Sequence, residues 1–185
     1  MFTEQRYRLG VAAGSGCGSG KRCLKNDAGR GNEEDMRAVV QRVTDADVTV
    51  DGRVTGSIEK GLLVLLGVED GDEQKDIEYI SKKLANLRVF DDEDGVMNRS
   101  VKDINGKILC ISQFTLLGDA RKGNRPSYFT AARPELANEL YRKVINSLEN
   151  EFGIDVEEGV FQADMLVRIN NDGPVTILLD SRRLF

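Results

Sequence analysis

The chain has 185 residues, with 26 Lys+Arg against 31 Asp+Glu for a formal net charge of −5, and it contains no histidine. The missing histidine excludes a Ser-His-Asp triad, a Cys-His dyad, an HExxH zinc site and a C₂H₂ finger, so any chemistry must run on other side chains, on backbone groups or on the substrate. Hydrophobic residues make up 40% and charged residues 31%, an ordinary globular balance, and the mild acidity argues against bulk nucleic-acid binding while leaving room for a local basic patch.

Residues 1–35 differ in kind from the rest. They hold seven of the nineteen glycines and two of the three cysteines (Cys17 and Cys23), and their charge is +1 against −6 for residues 36–185. Without apolar periodicity such a stretch cannot offset its ordering entropy, and it lacks the apolar core of a signal peptide. The composition predicts a disordered, Gly-rich N-terminal extension over 1–35 and a single folded domain over 36–185. Within the extension, Gly14–Lys21 superficially resembles a phosphate-binding loop. The pattern fails because Ser15 stands where the first glycine belongs, and Arg22 stands where a Mg²⁺-binding Ser or Thr is needed. It reads as a linker.

From Met36 the patterns are strong. Val39, Val40, Val43, Val48 and Val50 mark a strand. Asp51-Gly52 is a hairpin turn, Arg53–Ile58 pairs back, and Leu62–Val68 is a buried strand. The longest apolar run, Leu62–Leu66, is far short of a membrane span. Ile77, Ile80, Leu84 and Leu87 then fall on one face of a helix over about 73–88, with Asp72, Glu73 and Asp76 at its N-terminus, where the helix dipole favours them. Asp91–Gly95 is a polar turn. Lys107–Leu117 reads as a strand and Gly118–Pro126 as a polar loop. Pro134 opens a second helix, with Leu136, Leu140, Val144 and Leu148 on its buried face and Gly153 after its end. Met165–Ile169 and Val175–Leu179 read as two strands joined by a turn at 170–174. The order predicts an α+β fold with a mostly antiparallel, barrel-like sheet and two main helices. Cys110, in an apolar run with no C-x-x-C partner, suits a reducing cytoplasm and offers no zinc site.

Three stretches break the strand pattern where chemistry could sit. Ser112, Gln113 and Thr115 interrupt a buried strand. One such residue usually just bonds neighbouring backbone, but three together before a basic loop point to a site. That loop carries Arg121, Lys122 and Arg125, with Gly123 free to bring backbone close and Pro126 stiffening the turn before Ser127. It reads equally as a solvated charged loop or as a phosphate-binding one. The third stretch is Asn171-Asp172-Gly173-Pro174-Val175-Thr176. It is a plain turn unless the Gly-Pro bond is cis, which only about 5–6% of X-Pro bonds are.

Taken together, Gln41-Arg42-Val43, Ser112-Gln113-Phe114-Thr115-Leu116, Arg125-Pro126-Ser127 and Asn171–Thr176 resemble, in order and spacing, the D-aminoacyl-tRNA deacylase (D-Tyr-tRNA(Tyr) deacylase) family across all of 36–185. The resemblance implies hydrolysis of the ester between a D-amino acid, or glycine, and the 3′-terminal adenosine of tRNA, with L-aminoacyl esters rejected. It implies a cytoplasmic homodimer with an active site at the subunit interface, aminoacyl-tRNA as partner, and no cofactor or metal. Ser112, Gln113, Phe114 and Thr115 would line the pocket of one subunit, with the Phe114 N–H as oxyanion-hole donor. Gly173 and Pro174, as a cis pair from the other subunit, would exclude an L side chain. Arg42 would brace that pair and Met165 would pack beneath it. Arg121, Lys122 and Arg125, beside Pro126 and Ser127, are the candidates for phosphates near the CCA end. The rival expectation is a non-catalytic nucleic-acid-binding homodimer presenting the same basic loop.

Overall fold

The computed structural model describes residues 36–183. The expected extension over 1–35 and its Gly14–Lys21 motif lie outside the described residues. The fold is built on β1 (Arg37–Val50), which pairs antiparallel along one edge with nearly the whole of the last strand, β8 (Leu166–Asp180). Its other edge is shared. Arg37–Val43 pair with β3 (Gly61–Gly67), and Ala46–Val50 pair with β2 (Arg53–Ile58) across the Asp51-Gly52 turn. From β3 the sheet continues in parallel to β6 (Lys107–Ser112) and β7 (Val156–Glu158). The expected antiparallel order therefore holds for every pairing made by β1, and the sheet as a whole is mixed. The expected polar turn at 91–95 is the loop of a small hairpin of β4 (Phe90–Asp91) and β5 (Met97–Arg99), with Gly95 N–H donating to the Asp92 carbonyl at 3.1 Å.

The sheet curls until β7 meets β2. A Cβ added to Gly56 of β2 would lie 2.7 Å from the Glu158 carbonyl oxygen of β7, so only glycine lets the two edges approach this closely. The near-closed barrel encloses Val43, Val48, Leu63, Leu109 and Ile111. Alternate residues of the same strands (Val40, Leu62, Val64, Ile108 and Cys110) face outward, into a larger core. That core is capped by α1 (Gln74–Asn86) and α2 (Pro134–Asn150), which contribute Ile77, Ile80, Leu84, Leu140, Val144 and Leu148. Burial on both faces explains the unbroken apolar run of β3. At the start of α1 the Asp76 carboxylate accepts the Glu73 N–H at 2.9 Å, the cap foreshadowed by the acidic run. Among the described residues no helix is long and apolar enough to cross a membrane.

Two expected elements differ. The strand predicted over 107–117 ends at Ser112, and Phe114–Leu117 form a 3₁₀ turn. Its parallel partner β3 stops at Gly67, and the last ladder bond is Gln113 N–H donating to the Leu66 carbonyl at 2.7 Å. Beyond it the chain coils inward, and Leu117 is buried. The two strands predicted around 170–174 are one, because β1 carries the ladder past them with register shifts between Gln41 and Asp45.

The parallel β3–β6 contact is close enough to test by a single methyl group. A Cβ at Gly61 would lie 2.0 Å from the Lys107 carbonyl oxygen, so Gly61→Ala is expected to cost about 1–3 kcal/mol or more through overpacking. Urea denaturation reads this as a lower midpoint at unchanged slope. An unchanged midpoint would contradict this strand register.

Candidate active site

Apart from Met165, the residues singled out by the sequence gather at two places on the sheet. The first lies past the C-terminal end of β6. Ser112, half-buried, pairs with Leu66. Gln113 follows, extended at φ −141° and ψ 80°, and its side-chain amide donates to Thr115 Oγ1. The 3₁₀ turn is closed by Leu116 N–H on the Gln113 carbonyl at 3.3 Å and Gly118 N–H on the Thr115 carbonyl at 3.1 Å. Phe114 opens that turn, and a helical start leaves its first amides without an internal acceptor. Phe114 and Thr115 are both exposed. The place therefore offers a backbone N–H on a fixed turn beside a hydroxyl, a geometry suited to an oxyanion. Thr115 has no base beside it: its side-chain partner among the described residues is the Gln113 amide.

The turn is held from beneath by Arg37, which sequence reasoning missed. Its Nη1 donates to the Leu116 carbonyl at 3.3 Å, and its Nε lies 3.7 Å from the buried Asp180 carboxylate. These partners lie 79 and 143 residues away in sequence, so no local pattern could reveal them. Gly67 makes room for the turn, since a Cβ there would lie 3.1 Å from the Gln113 carbonyl oxygen.

The basic loop follows directly. Asp119 and Ser127 exchange backbone hydrogen bonds at 2.8 and 2.9 Å, closing the segment between them into an exposed lobe. Tyr128 sets its ring edge-on to Phe114, with centroids 5.1 Å apart and planes at 67°. The three cations are not equivalent. Arg121 is bound at both ends of its guanidinium to Asp119, at 2.9 and 2.8 Å. Those hydrogen bonds hold the Asp119 carboxyl well below its usual range and raise Arg121. Lys122 and Arg125 are exposed and have no ion-pair partner among the described residues.

The second place is the irregular middle of β8. Arg42 is buried, with 8% exposure. Its Nη1 donates to the Val89 carbonyl at 2.7 Å, and its Nε pairs with Asp172 Oδ2 at 3.0 Å as an ion pair without a hydrogen bond's alignment. The Asn171 side-chain amide donates to the carbonyls of Arg42 (2.9 Å) and Val175 (3.1 Å), tying the bulge shut. Gly173 has φ +114°, the Gly173–Pro174 peptide is cis, and both residues are exposed. Arg42 Nη2 would lie 3.0 Å from a Cβ at Gly173, so Arg42 does lie directly behind this pair. Asn171 and Asp172, which read as turn formers, are here the clamps of a bulge.

One chain does not bring the two places together. They sit three strand positions apart in the order β8-β1-β3-β6, on the order of 14 Å across the sheet alone. Met165 is not beneath its own Gly173-Pro174 either. It precedes Leu166, which pairs with Thr49, whereas Gly173-Pro174 lies opposite Arg42, on the order of 20 Å along β1. It packs instead against the barrel cluster, and a Cβ on Gly159 would lie 2.5 Å from its Sδ.

The model of the family described as D-Tyr-tRNA(Tyr) deacylase matches residues 39–180. The chain belongs to this family. It is 58% identical over 150 residues to the D-aminoacyl-tRNA deacylase of Fervidobacterium nodosum, covering 81% of this chain and all of that protein. Among solved structures it is similar to the c-Myc DNA unwinding element binding protein, at 45% identity and a TM-score of 0.74, covering 77% of this chain and 97% of the other. A probable eukaryotic D-amino acid tRNA deacylase, at 15% identity and a TM-score of 0.69, covers 79% of this chain and 99% of its own and shares the fold.

Within this deacylase-family fold, Cys110 is the described residue with a nucleophile's chemistry but the wrong placement. It is fully buried in β6, and burial pushes its thiol up to about 12. The same burial raises the Tyr141 phenol, whose hydroxyl donates to the Cys110 carbonyl at 2.8 Å. No group of three or more His, Cys, Asp or Glu among the described residues is placed to hold a metal ion. Because the thiol stays protonated throughout the neutral range, Cys110 in the native protein is expected to resist iodoacetamide at about pH 8.5, where a free thiol is half ionised. Peptide mapping should find it alkylated only after unfolding in urea. Rapid labelling of native Cys110 would show that the strand is more open than described.

Proposed function

We propose that the protein hydrolyses the ester joining a D-amino acid to the 3′-terminal adenosine of tRNA, releasing free D-amino acid and tRNA, and that it rejects the L-aminoacyl ester. Membership in the deacylase family across residues 39–180 carries this reading. In the proposed reaction water adds to the ester carbonyl, and the bond to the ribose 3′-oxygen breaks. A proton passes to that oxygen with help from the neighbouring 2′-hydroxyl of the substrate. The Phe114 N–H stabilises the charge that develops on the carbonyl oxygen. Ser112, Gln113 and Thr115 shape the pocket, and Thr115, with no base to activate it, is not the nucleophile. No metal or cofactor enters the scheme.

Selectivity in this reading comes from the Gly173 and Pro174 carbonyls of one protomer, which enter the pocket of the other and face the substituents of the substrate's α-carbon. A fixed backbone wall excludes the wrong enantiomer by clash, whereas an attractive pocket separates ligands by only about 1–3 kcal/mol per methylene. The same wall admits glycine, so glycine mischarged on tRNA(Ala) is a second substrate. Three features support a homodimer. The two halves of the site are apart in one chain, Gly173 and Pro174 are exposed, and among the described residues β8 is an edge strand carrying exposed Leu166, Ile169 and Leu178. Such an edge calls for a covering partner. Lys122 and Arg125 meet phosphates near the CCA end, with Arg121, Pro126 and Ser127 shaping their loop. The few contacts give a shallow salt dependence. The reaction belongs to translation quality control in the cytoplasm.

A second reading has one specific support: a solved relative at 45% identity is named for binding a DNA unwinding element. On that reading the basic loop binds nucleic acid without catalysis. Incubating the purified full-length protein with D-Tyr-tRNA and L-Tyr-tRNA separates the two. Release of D-tyrosine alone is expected, and binding of tRNA with no release from either ester would favour the second reading. In the same assay Gly173→Ala tests the wall. Its Cβ would meet Val175 Cγ2 at 2.8 Å and Arg42 Nη2 at 3.0 Å, at φ +114°. A strained backbone of this kind costs about 1–3 kcal/mol, so a fall of at least about tenfold in D-ester turnover is expected. Wild-type rate and chirality would contradict the placement of Gly173 at the site.

A further inference from the structure

Phe129 is the most exposed large apolar side chain among the described residues, at 94%. Its backbone is nevertheless held on both sides. Ser127 is bridged to Asp119 by the paired hydrogen bonds already described, the Thr130 carbonyl accepts the Asp70 N–H at 2.8 Å, and Ala132 N–H donates to the Val68 carbonyl at 3.0 Å. Tyr128 turns its ring inward onto Phe114, while Phe129 is held out in solvent. An apolar ring kept exposed on a fixed backbone, next to a site, forgoes burial that a polar residue would not need.

The same segment supplies the matching charge. Asp119 takes up the guanidinium of Arg121, leaving Lys122 and Arg125 exposed and without ion-pair partners among the described residues. An exposed aromatic ring and two exposed cations within one short segment are the combination that binds single-stranded nucleic acid, the ring taking a base and the cations the phosphates. We propose that Phe129 is a stacking platform for an unpaired base of the tRNA acceptor end upstream of the terminal adenosine, with Lys122 and Arg125 on the adjoining phosphates. This rests on the deacylase reading and adds to it a subsite outside the reacting ester. Apolar surface alone would fit a second copy of the chain equally well. The unpaired charges favour a polyanion.

The test compares wild type, Phe129→Ala and Phe129→Trp, all in the full chain, on two substrates: D-Tyr-tRNA, and D-tyrosyl adenosine, which lacks upstream nucleotides. Loss of one base stack predicts that Phe129→Ala lowers kcat/KM on the tRNA about tenfold more than on the adenosine ester, through KM, and that Phe129→Trp restores it. Separately, a single-stranded oligonucleotide ending in CCA and carrying 2-aminopurine upstream of the terminal adenosine should be quenched by wild type and not by Phe129→Ala. Equal losses on the two substrates, no loss on either, or slower sedimentation of Phe129→Ala as a smaller assembly would overturn the proposal, the last by making the ring a subunit contact. If wild type hydrolyses neither ester, the deacylase reading fails. The quenching experiment then decides the stacking site by itself.

Discussion

The register between β1 and β8 is the constraint on which the rest of the molecule depends. β1 is paired on both edges, so it cannot bend or slip without cost, and β8 follows it for its whole length. Where the two lose step, between Gln41 and Asp45, the irregularity is absorbed by Asn171, Asp172, Gly173 and Pro174. Arg42 sits at that point with its guanidinium buried. A buried guanidinium must be met by acceptors; the Val89 carbonyl and Asp91 meet its Nη1, and Asp172 lies against its Nε. One side chain thus joins the bulge of β8 to the β4–β5 hairpin. The other end of the same pairing matters as much, because Asp180 at the close of β8 faces Arg37 at the start of β1, and Arg37 reaches the 3₁₀ turn.

Both candidate halves of the site are therefore made of backbone, with side chains behind them. In the proposed reaction the group used at Phe114 is an amide presented by a turn, and those used at Gly173 and Pro174 are carbonyls presented by a bulge. The side chains that hold them (Arg37, Arg42 and Asn171) act by position. A chain without histidine loses nothing by this arrangement, provided that its substrate is already activated. An aminoacyl ester is, and the ribose hydroxyl beside it is a polar group that the enzyme does not have to supply.

Much of this was legible in the sequence, for reasons that also explain what was not. Both helices followed from 3.6-residue periodicity and their terminal signals, and the β1–β2 hairpin from Asp51-Gly52. The end of β6 was hidden because Phe114, Leu116 and Leu117 continue an apolar run. What stops the strand is the end of its partner at Gly67, a tertiary fact. The continuity of β8 was hidden for the opposite reason. Asn-Asp-Gly-Pro carries every local mark of a turn, and pairing with β1 overrides it. The three residues of β7 were too few to show a period. Arg42 and Asn171 could be picked out by their motifs, whereas Arg37 acts through partners 79 and 143 residues away. Three equal cations in the sequence became two available ones once Asp119 was seen to hold Arg121.

The central claim is that the reaction draws on the substrate's hydroxyl and on the enzyme's main chain, with no side-chain nucleophile. Single-turnover deacylation of D-Tyr-tRNA ending in 2′-deoxyadenosine, with the ester on the 3′-oxygen, measures this most directly when set beside Thr115→Ala on the normal substrate. Loss of a positioned proton-transfer group costs about 10²–10⁴-fold, so the deoxy substrate should slow by at least about a hundredfold, while Thr115→Ala slows the normal substrate only severalfold. The reverse pattern, a deoxy substrate cleaved at the normal rate and a Thr115→Ala enzyme that folds and binds tRNA but is inactive, would place the nucleophile on Thr115 and contradict the account.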